Sequence, residues 1–523
     1  MFLLAAVAVA GDSVWASFDP ANAYRETKEV AARYPDPDVT YATPAFATAK
    51  QDFTSQSEMM AYLRQLAERA PSMRLDAEAK SQQGRELPIL LFSHNQQAIG
   101  SGAKPVALII GQQHGNEPAG GEAALVLAQR LGEGDLRGVL DAIDVIIVPR
   151  ANPDGADAFR RALANGIDAN RDHTLQRTPE IRAIGALFER YKPALVLDCH
   201  EFTVGGRWVE KVGGLQRIDA MIQYATVPNL PPSLGQAESD VFLPAILAAF
   251  DAKGLTHDWY HTTDGSRPDA RVAMGGIGPD TGRNVAGLRG AVSFLLETRG
   301  VGIGRAHFAR RVHTHVVAAE AILKLAAADP GAFMALTQKA AAEARSSTDP
   351  LVVVARQRPE KREMIFVDPS TGSDKPVSVA WLSSLHIEPV LTRPRPAAYL
   401  LSNATQETID VLARAGIATH AITKTATIEA VRYRVDAIAA GAKEDGRGDD
   451  TGAGAIVKGT YSLVKETVAI APGDITIPLD QPLAGLVAAL LEPESDAGVV
   501  ANRLVPAEQG GLLPISRLSQ LPD

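Results

Sequence analysis

Cysteine is almost missing from this chain. Cys199 stands alone among 523 residues, which excludes an internal disulfide. A basic surplus is missing as well. The formal net charge of -9 excludes the strongly basic face that a nucleic-acid partner requires. Beyond the first residues, no apolar run approaches the ~20 residues of a membrane-spanning helix. No repeat stands out, and no glycine fingerprint for a nucleotide cofactor is present. The N-terminus, MFLLAAVAVAGDSVWAS, has an apolar stretch from Phe2 to Ala10 but lacks the basic residues that open a signal peptide. Ala8-Val9-Ala10 and Val14-Trp15-Ala16 still have the small residues of a signal-peptidase site. Residues 1–16 are therefore read as an export signal and the location as periplasmic or secreted.

What is present is an ordinary globular composition, 46% hydrophobic and 22% charged. The length exceeds what one core accommodates. The expected divisions are an N-terminal extension over 17–49, a catalytic region over 50–330 and an accessory C-terminal region over 331–523. A helix is expected through Met59, Met60, Leu63 and Leu66, with Thr54 to Ser57 as cap candidates. Strand-like apolar runs follow at Ile89 to Phe92, Val106 to Ile110, Val145 to Val148, Leu195 to Leu197 and Val292 to Leu296. Helical patterns lie between several of them, and Val312 to Ala327 reads as a closing helix stopped by Pro330-Gly331. This alternation is the α/β signature. After Pro330 the texture changes to short strand-like runs at 351–355, 364–367, 377–381 and 397–401. A helix over 405–415, a loop over 439–454, a hairpin-like turn at Pro472-Gly473-Asp474 and a final helix over 483–491 complete the chain.

Polar residues collect just beyond the strand-like runs. His114 and Glu117 follow one, His200 another, and Glu297 a third. Two imidazoles and one carboxylate, with a position left for water, form the ligand composition of a catalytic zinc site. A further carboxylate such as Glu297 is suited to take a proton from water and pass it to a leaving amine. Asp168 is placed to orient a ligand histidine through its second nitrogen, and Arg161 and Arg171 to pair with a carboxylate or a developing oxyanion. Each pattern has a plainer reading. His-x-x-Glu also occurs as a surface pair in a first helical turn, Cys199 reads as a small buried hydrophobe, and His257 and His261 read as loop residues.

Taken in order, His114-Gly-Asn-Glu117, AsnProAspGly at 152–155, GlyIleAspAlaAsnArg at 166–171, Asp198-Cys-His200 and Leu-Leu-Glu297-Thr resemble the zinc carboxypeptidase family that includes carboxypeptidase A. The resemblance spans Phe53 to Ala327. It implies an α/β/α sandwich around a mixed, mostly eight-stranded twisted sheet, with the C-terminal region as a smaller β-rich α+β domain. It implies one zinc on His114, Glu117 and His200, with Asp168 behind His114. It gives Glu297 the place of the general base, and Arg161 that of the group polarising the scissile carbonyl. Asn170 and Arg171 take the places of the residues that hold the free C-terminal carboxylate of a peptide substrate. No match to the family's mobile tyrosine is evident, although Tyr260 is a candidate. The family's specificity pocket is lined by chain shortly before the catalytic glutamate, where Arg283 is the one cation over 279–284. Arg283 either favours an acidic terminal residue or is tied to Asp280. Two other functions remain open: a zinc deacylase of N-acyl amino acids, and a peptide-binding module without catalysis. The complete AsnProAspGly and Asn-Arg set favours peptides over the first, and the retention of Glu297 with all three ligands argues against the second.

Overall fold

The computed structural model describes residues 18–263, 271–444 and 450–522. The segment read as an export signal lies outside them. Among the described residues, no helix is long and apolar enough to cross a membrane.

The protein is built on an eight-stranded mixed sheet. Its order is Met73–Asp76, Ile89–Phe92, Asp144–Val148, Val106–Gly111, Leu195–Thr203, Val292–Val301, Ala220–Tyr224, His257–Trp259. The four strands from Asp144–Val148 to Val292–Val301 are mutually parallel, so their carboxyl ends share one edge. Both faces are covered. Met59, Leu63 and Leu66 of helix Gln56–Arg69 pack on one face with helices Pro118–Gly132, Leu243–Ala252 and Phe308–Ala328. Ile181, Ile184, Leu187 and Phe188 of helix Pro179–Tyr191 cover the other, with Ala286. Sequence dictates these faces locally. Ser55 caps Gln56–Arg69 through a reciprocal box with Glu58, and Pro118 and Pro179 open their helices where a missing N–H costs nothing.

Strand Val106–Gly111 connects to a neighbour on one side, Asp144–Val148, while the chain returns to Leu195–Thr203 on its other side. That reversal is the switch point where open α/β sheets leave a crevice beyond the strand ends. Two strands are longer than their apolar runs. Leu195–Thr203 and Val292–Val301 stay paired through His200 and Glu297, because the ladder continues while the side chains turn polar.

The C-terminal region departs further from expectation. Pro330 ends one helix and opens another, Pro330–Ser346, with the Asp329 side chain capping Ala332 N. The short runs at 351–355 and 364–367 belong to one strand, Leu351–Val367, and those at 377–381 to Asp374–Arg393. Charged residues on their exposed faces break the apolar signal without breaking the ladder. This long hairpin joins Leu215–Gln216, Arg271–Met274 and His261–Thr262 in a second sheet, so a boundary drawn at residue 330 cuts through a sheet. Most of the expected loop over 439–454 belongs to strands Ala426–Glu444 and Asp450–Ile470 of a third, six-stranded sheet, and residues 445–449 lie outside the described ones. Ile475–Pro478 pairs with Ala398–Leu401 and His420–Ala421, not with the strand before the Pro472 turn.

Two loops meet at the switch point. A methyl group on Gly115 would lie 1.9 Å from the carbonyl carbon of Gly155 and 2.2 Å from Ala156 N. Gly155 N in turn donates to Asn152 Oδ1 at 2.7 Å. The glycine of His-Gly-Asn-Glu therefore lets two backbones touch, while that of Asn-Pro-Asp-Gly makes room for the Asn152 side chain. Gly115→Ala is expected to lower the thermal midpoint by the equivalent of ~3 kcal/mol or more, because backbone rather than a flexible side chain must yield. Gly138→Ala, where a methyl meets nothing within 4 Å, is the control. Equal midpoints for the two variants in thermal denaturation followed by circular dichroism would contradict the contact.

Candidate active site

Alternation along Leu195–Thr203 places Asp198 and His200 on one face and Cys199 and Glu201 on the other. His114 and Glu117 arrive from the loop after Val106–Gly111. The three side chains converge: His114 Nδ1 lies 2.9 Å from Glu117 Oε1, His200 Nδ1 lies 2.9 Å from Glu117 Oε2, and the two Nδ1 atoms are 3.0 Å apart. All three residues are buried.

The outer nitrogens define the chemistry. His114 Nε2 is 2.9 Å from Asp168 Oδ1, and His200 Nε2 is 2.9 Å from Asp198 Oδ1. Ionised carboxylates only accept, so each Nε2 carries the hydrogen and each Nδ1 presents a lone pair. The Asn170 amide nitrogen also approaches His200 Nε2, at 3.1 Å, but the charged and closer Asp198 sets the tautomer. Two nitrogen lone pairs and a carboxylate thus face one point, which is repulsive unless positive charge lies there. Arg161 Nη1 supplies part of it, 3.1 Å from His114 Nδ1 and 3.3 Å from Glu117 Oε1. Burial opposes charge on Glu117, but His114 and then His200 hold its carboxyl below the usual range. Burial likewise opposes the His200 imidazolium, yet Asp198 and Glu117 raise it well above the usual histidine value. The site draws in a proton or a metal cation. The donor set, two imidazole nitrogens and one carboxylate with further room at the cavity, fits a divalent metal of the zinc type.

Glu297 pairs in register with His200 on the neighbouring strand. Its carboxylate makes no hydrogen bond to a described residue and lines two cavities. Burial, then the charge of Glu117, pushes its carboxyl up to about 7. The larger cavity, about 360 Å³, also takes in Glu117, Trp208 and Tyr260. The smaller, about 110 Å³, holds Asn170, Arg171, Asp280 and Arg283. Arg161, Tyr260 and Glu297 belong to both, so the two lobes meet beside the metal-ligand cluster.

The remaining candidates divide. Arg161, not Arg160, reaches the cluster, tied through Nη2 to Asp168 Oδ2 at 2.8 Å. Burial opposes charge on Asp168, but Arg161 and His114 hold its carboxyl far below the usual range. Asn170 is less free than expected for a direct substrate ligand. Its amide nitrogen points at Asp198 and His200, and its oxygen accepts from Gly282 N at 2.6 Å. Arg171 Nη1 donates to Asn170 O at 2.6 Å. Arg283 is 1% exposed. Among the described residues it forms no ion pair with Asp280 or any other acid; Nη2 donates to Gly276 O at 2.6 Å and Nε has no partner. Burial pulls its guanidinium down to about 10, which leaves it charged at neutral pH. Glu201 is buried on the far face against Arg311 Nε at 2.7 Å and Ala119 N at 2.9 Å. Burial pushes the Cys199 thiol well above its usual range, as befits a small hydrophobe. His261 lies in the short strand His261–Thr262, bonded to Gln216 at 2.9 Å and Trp259 O at 2.7 Å, not in a loop.

Asp198 is the residue that sequence reasoning passed over. Its signal was present: an Asp two positions before a ligand histidine on a strand shares that histidine's face.

Known proteins are similar to this chain. A family description of zinc carboxypeptidases matches residues 59–204. The protein described as probable carboxypeptidase 2 of Arthroderma benhamiae is 30% identical over 409 residues, covering 73% of this chain and 76% of that one. Carboxypeptidase 2 of Trichophyton rubrum is 28% identical over 528 residues, covering 96% of this chain and 95% of its own. A crystal structure of a metallo-carboxypeptidase from Burkholderia cenocepacia aligns with 52% of this chain and 69% of its own at 20% identity and a TM-score of 0.40. With the ligand cluster, the motif order and relatives of this extent, the chain belongs to the zinc carboxypeptidase family.

Proposed function

We propose that the protein is a zinc metallocarboxypeptidase that removes the terminal residue from peptides with a free C-terminal carboxylate. The observation that carries this is the convergence of acceptor lone pairs from His114, Glu117 and His200 beside Glu297, whose carboxylate has no hydrogen-bond partner among the described residues. These three residues would hold one zinc, which would supply Lewis acidity to the scissile carbonyl and to water. Glu297 takes a proton from the attacking water and delivers it to the leaving amine nitrogen, so one carboxylate serves as base and then acid. Arg161, fixed by Asp168, directs its guanidinium at the carbonyl oxygen as negative charge develops there. Asp168 and Asp198 keep the ligand imidazoles in the tautomer that offers Nδ1. The relatives described as carboxypeptidases support peptides over N-acyl amino acids as substrates.

The smaller lobe receives the terminal residue. Arg171 holds the terminal carboxylate as a charge-assisted hydrogen-bond donor. Asn170 works one step back, joining the His200 side to the start of helix Gly282–Leu288, which carries Arg283. Among the described residues Arg283 is a buried cation without an acidic partner, and burying an unpaired charge is costly. A second carboxylate on the terminal residue satisfies it, and a lobe of about 110 Å³ suits a short side chain. Peptides ending in Glu or a similar acid are the preferred substrates.

Two outcomes are expected. Glu297→Gln keeps the metal and the thermal midpoint but lowers kcat by about 10²–10⁴-fold, the usual cost of losing a general base. Because the base acts deprotonated, kcat/KM in the wild type rises with pH as Glu297 loses its proton, and this acid limb is absent in the Gln variant. Near-normal turnover in a metal-replete Glu297→Gln enzyme would move the base elsewhere. Competing peptides that differ only in a terminal Glu or Leu test the second point. The wild type is expected to favour Glu by at least about tenfold in kcat/KM, and Arg283→Ala to abolish the ratio. A preference unchanged by the substitution would remove Arg283 from the pocket.

A further inference from the structure

One wall of the smaller lobe is bare backbone, at Gly275, Gly276 and Gly278. Side chains occupy its carbonyls. Gly276 O accepts from Arg283 Nη2 at 2.6 Å and Asn284 Nδ2 at 3.1 Å, and Gly278 O from Asn284 Nδ2 at 2.8 Å. Gly275 is held from both ends. Its N–H donates to Gln223 Oε1 at 2.9 Å, and its carbonyl accepts from Gln223 Nε2 at 3.2 Å and from Ser384 Oγ at 2.6 Å. The shortest of these bonds to Gly275 comes from the long hairpin more than a hundred residues further along the chain.

The hairpin is shaped to make that bond. Strand Asp374–Arg393 runs parallel to Arg271–Met274 with Leu382 opposite Ala273, which brings Ser384 alongside Gly275. Within the hairpin, Gln357 pairs with Ile387 but Arg358 with Ser383, so Ser384, Leu385 and His386 have no partner in the ladder. Such bulges turn a side chain away from regular pairing. Gln357 Nε2 fills the gap, donating to Ser384 Oγ at 2.7 Å and to Met274 O at 3.0 Å. With its hydroxyl oxygen accepting from Gln357, Ser384 is left to donate to Gly275 O.

Gly275 matters because two cavity side chains rest on it. A methyl group there would lie 2.5 Å from the Tyr260 ring and 2.9 Å from Arg283 Nη2. A shift of this backbone displaces both. We propose that Ser384, oriented by Gln357, is a positioning residue for substrate binding: it fixes Gly275, and through it Tyr260 and Arg283. The hairpin of the C-terminal region is thereby part of the substrate-binding machinery. Ser384 is 3% exposed and acts through its neighbours, not by touching substrate.

The kinetic consequence rests on the carboxypeptidase reading. In the full-length, metal-loaded enzyme, Ser384→Ala is expected to raise KM for a Glu-terminated peptide about fivefold to tenfold, the equivalent of one buried hydrogen bond, with kcat within about twofold. Metal content is unchanged, and Gln357→Ala moves KM in the same direction. Hydrogen–deuterium exchange is the measurement that does not need activity: amides over 271–283 exchange faster in both variants than in the wild type. A wild-type KM together with unchanged exchange overturns the proposal. So does a fall in kcat or metal content at constant KM, which marks a general structural defect. If the wild type hydrolyses no peptide, the carboxypeptidase reading fails, and exchange over 271–283 still decides whether Ser384 holds the wall.

Discussion

Two imidazole nitrogens and a carboxylate meet within 3.0 Å of one another, with their lone pairs turned inward. Most of what surrounds them keeps that unfavourable contact in place. Asp168 and Asp198 lock the hydrogens on the outer nitrogens, so neither ring can relieve the repulsion by changing tautomer. Arg161 leans in with one guanidinium nitrogen and is itself anchored on Asp168. The fold holds negative potential at one point, and a divalent cation is the natural occupant. Glu297 shares the same field. Burial and the Glu117 charge push its carboxyl up to about 7, near the range where a general base works best.

The architecture that supports this is economical. Parallel strands present their carboxyl ends on one edge, and the reversal of connections beside Val106–Gly111 opens the crevice. Neighbouring strands in register then bring Glu297 beside His200. Gly115 lets the two loops close on each other without a side chain between them, and Gly155 leaves room for the Asn152 side chain. On the far face, Glu201 takes the opposite side of the same strand and anchors Arg311 and the first turn of helix Pro118–Gly132. Alternation along one strand thus divides its residues between chemistry and scaffold.

Much of this was legible in the sequence. The α/β class and the gathering of polar residues near strand ends came from short apolar runs followed by His, Glu or Asp, while the eight-stranded sheet came only with the family resemblance carried by the motifs. What escaped did so for physical reasons. Strand length was underestimated where side chains turn polar, which hid Asp198 behind His200 although both share a face. The long hairpin read as separate short strands because Arg356, Arg358, Glu360 and Lys361 interrupt its apolar pattern on exposed positions, while backbone pairing runs through them. Its contact with Gly275 depends on a three-residue bulge, which no local periodicity announces. The motif's Asn170 has its amide spent on Asp198 and Gly282, a competition only the packed structure reveals.

The inward-facing donor set is tested most directly by X-ray absorption at the zinc edge on the metal-loaded protein. One zinc per chain is expected, with two imidazole nitrogens at about 2.0–2.1 Å, the remaining ligands oxygen, and no sulfur. Cys199 sits between Asp198 and His200 but on the opposite face of the strand, so a sulfur shell would contradict that alternation. A third imidazole, or a protein that retains no zinc, would contradict the convergence of His114, Glu117 and His200 on one cation.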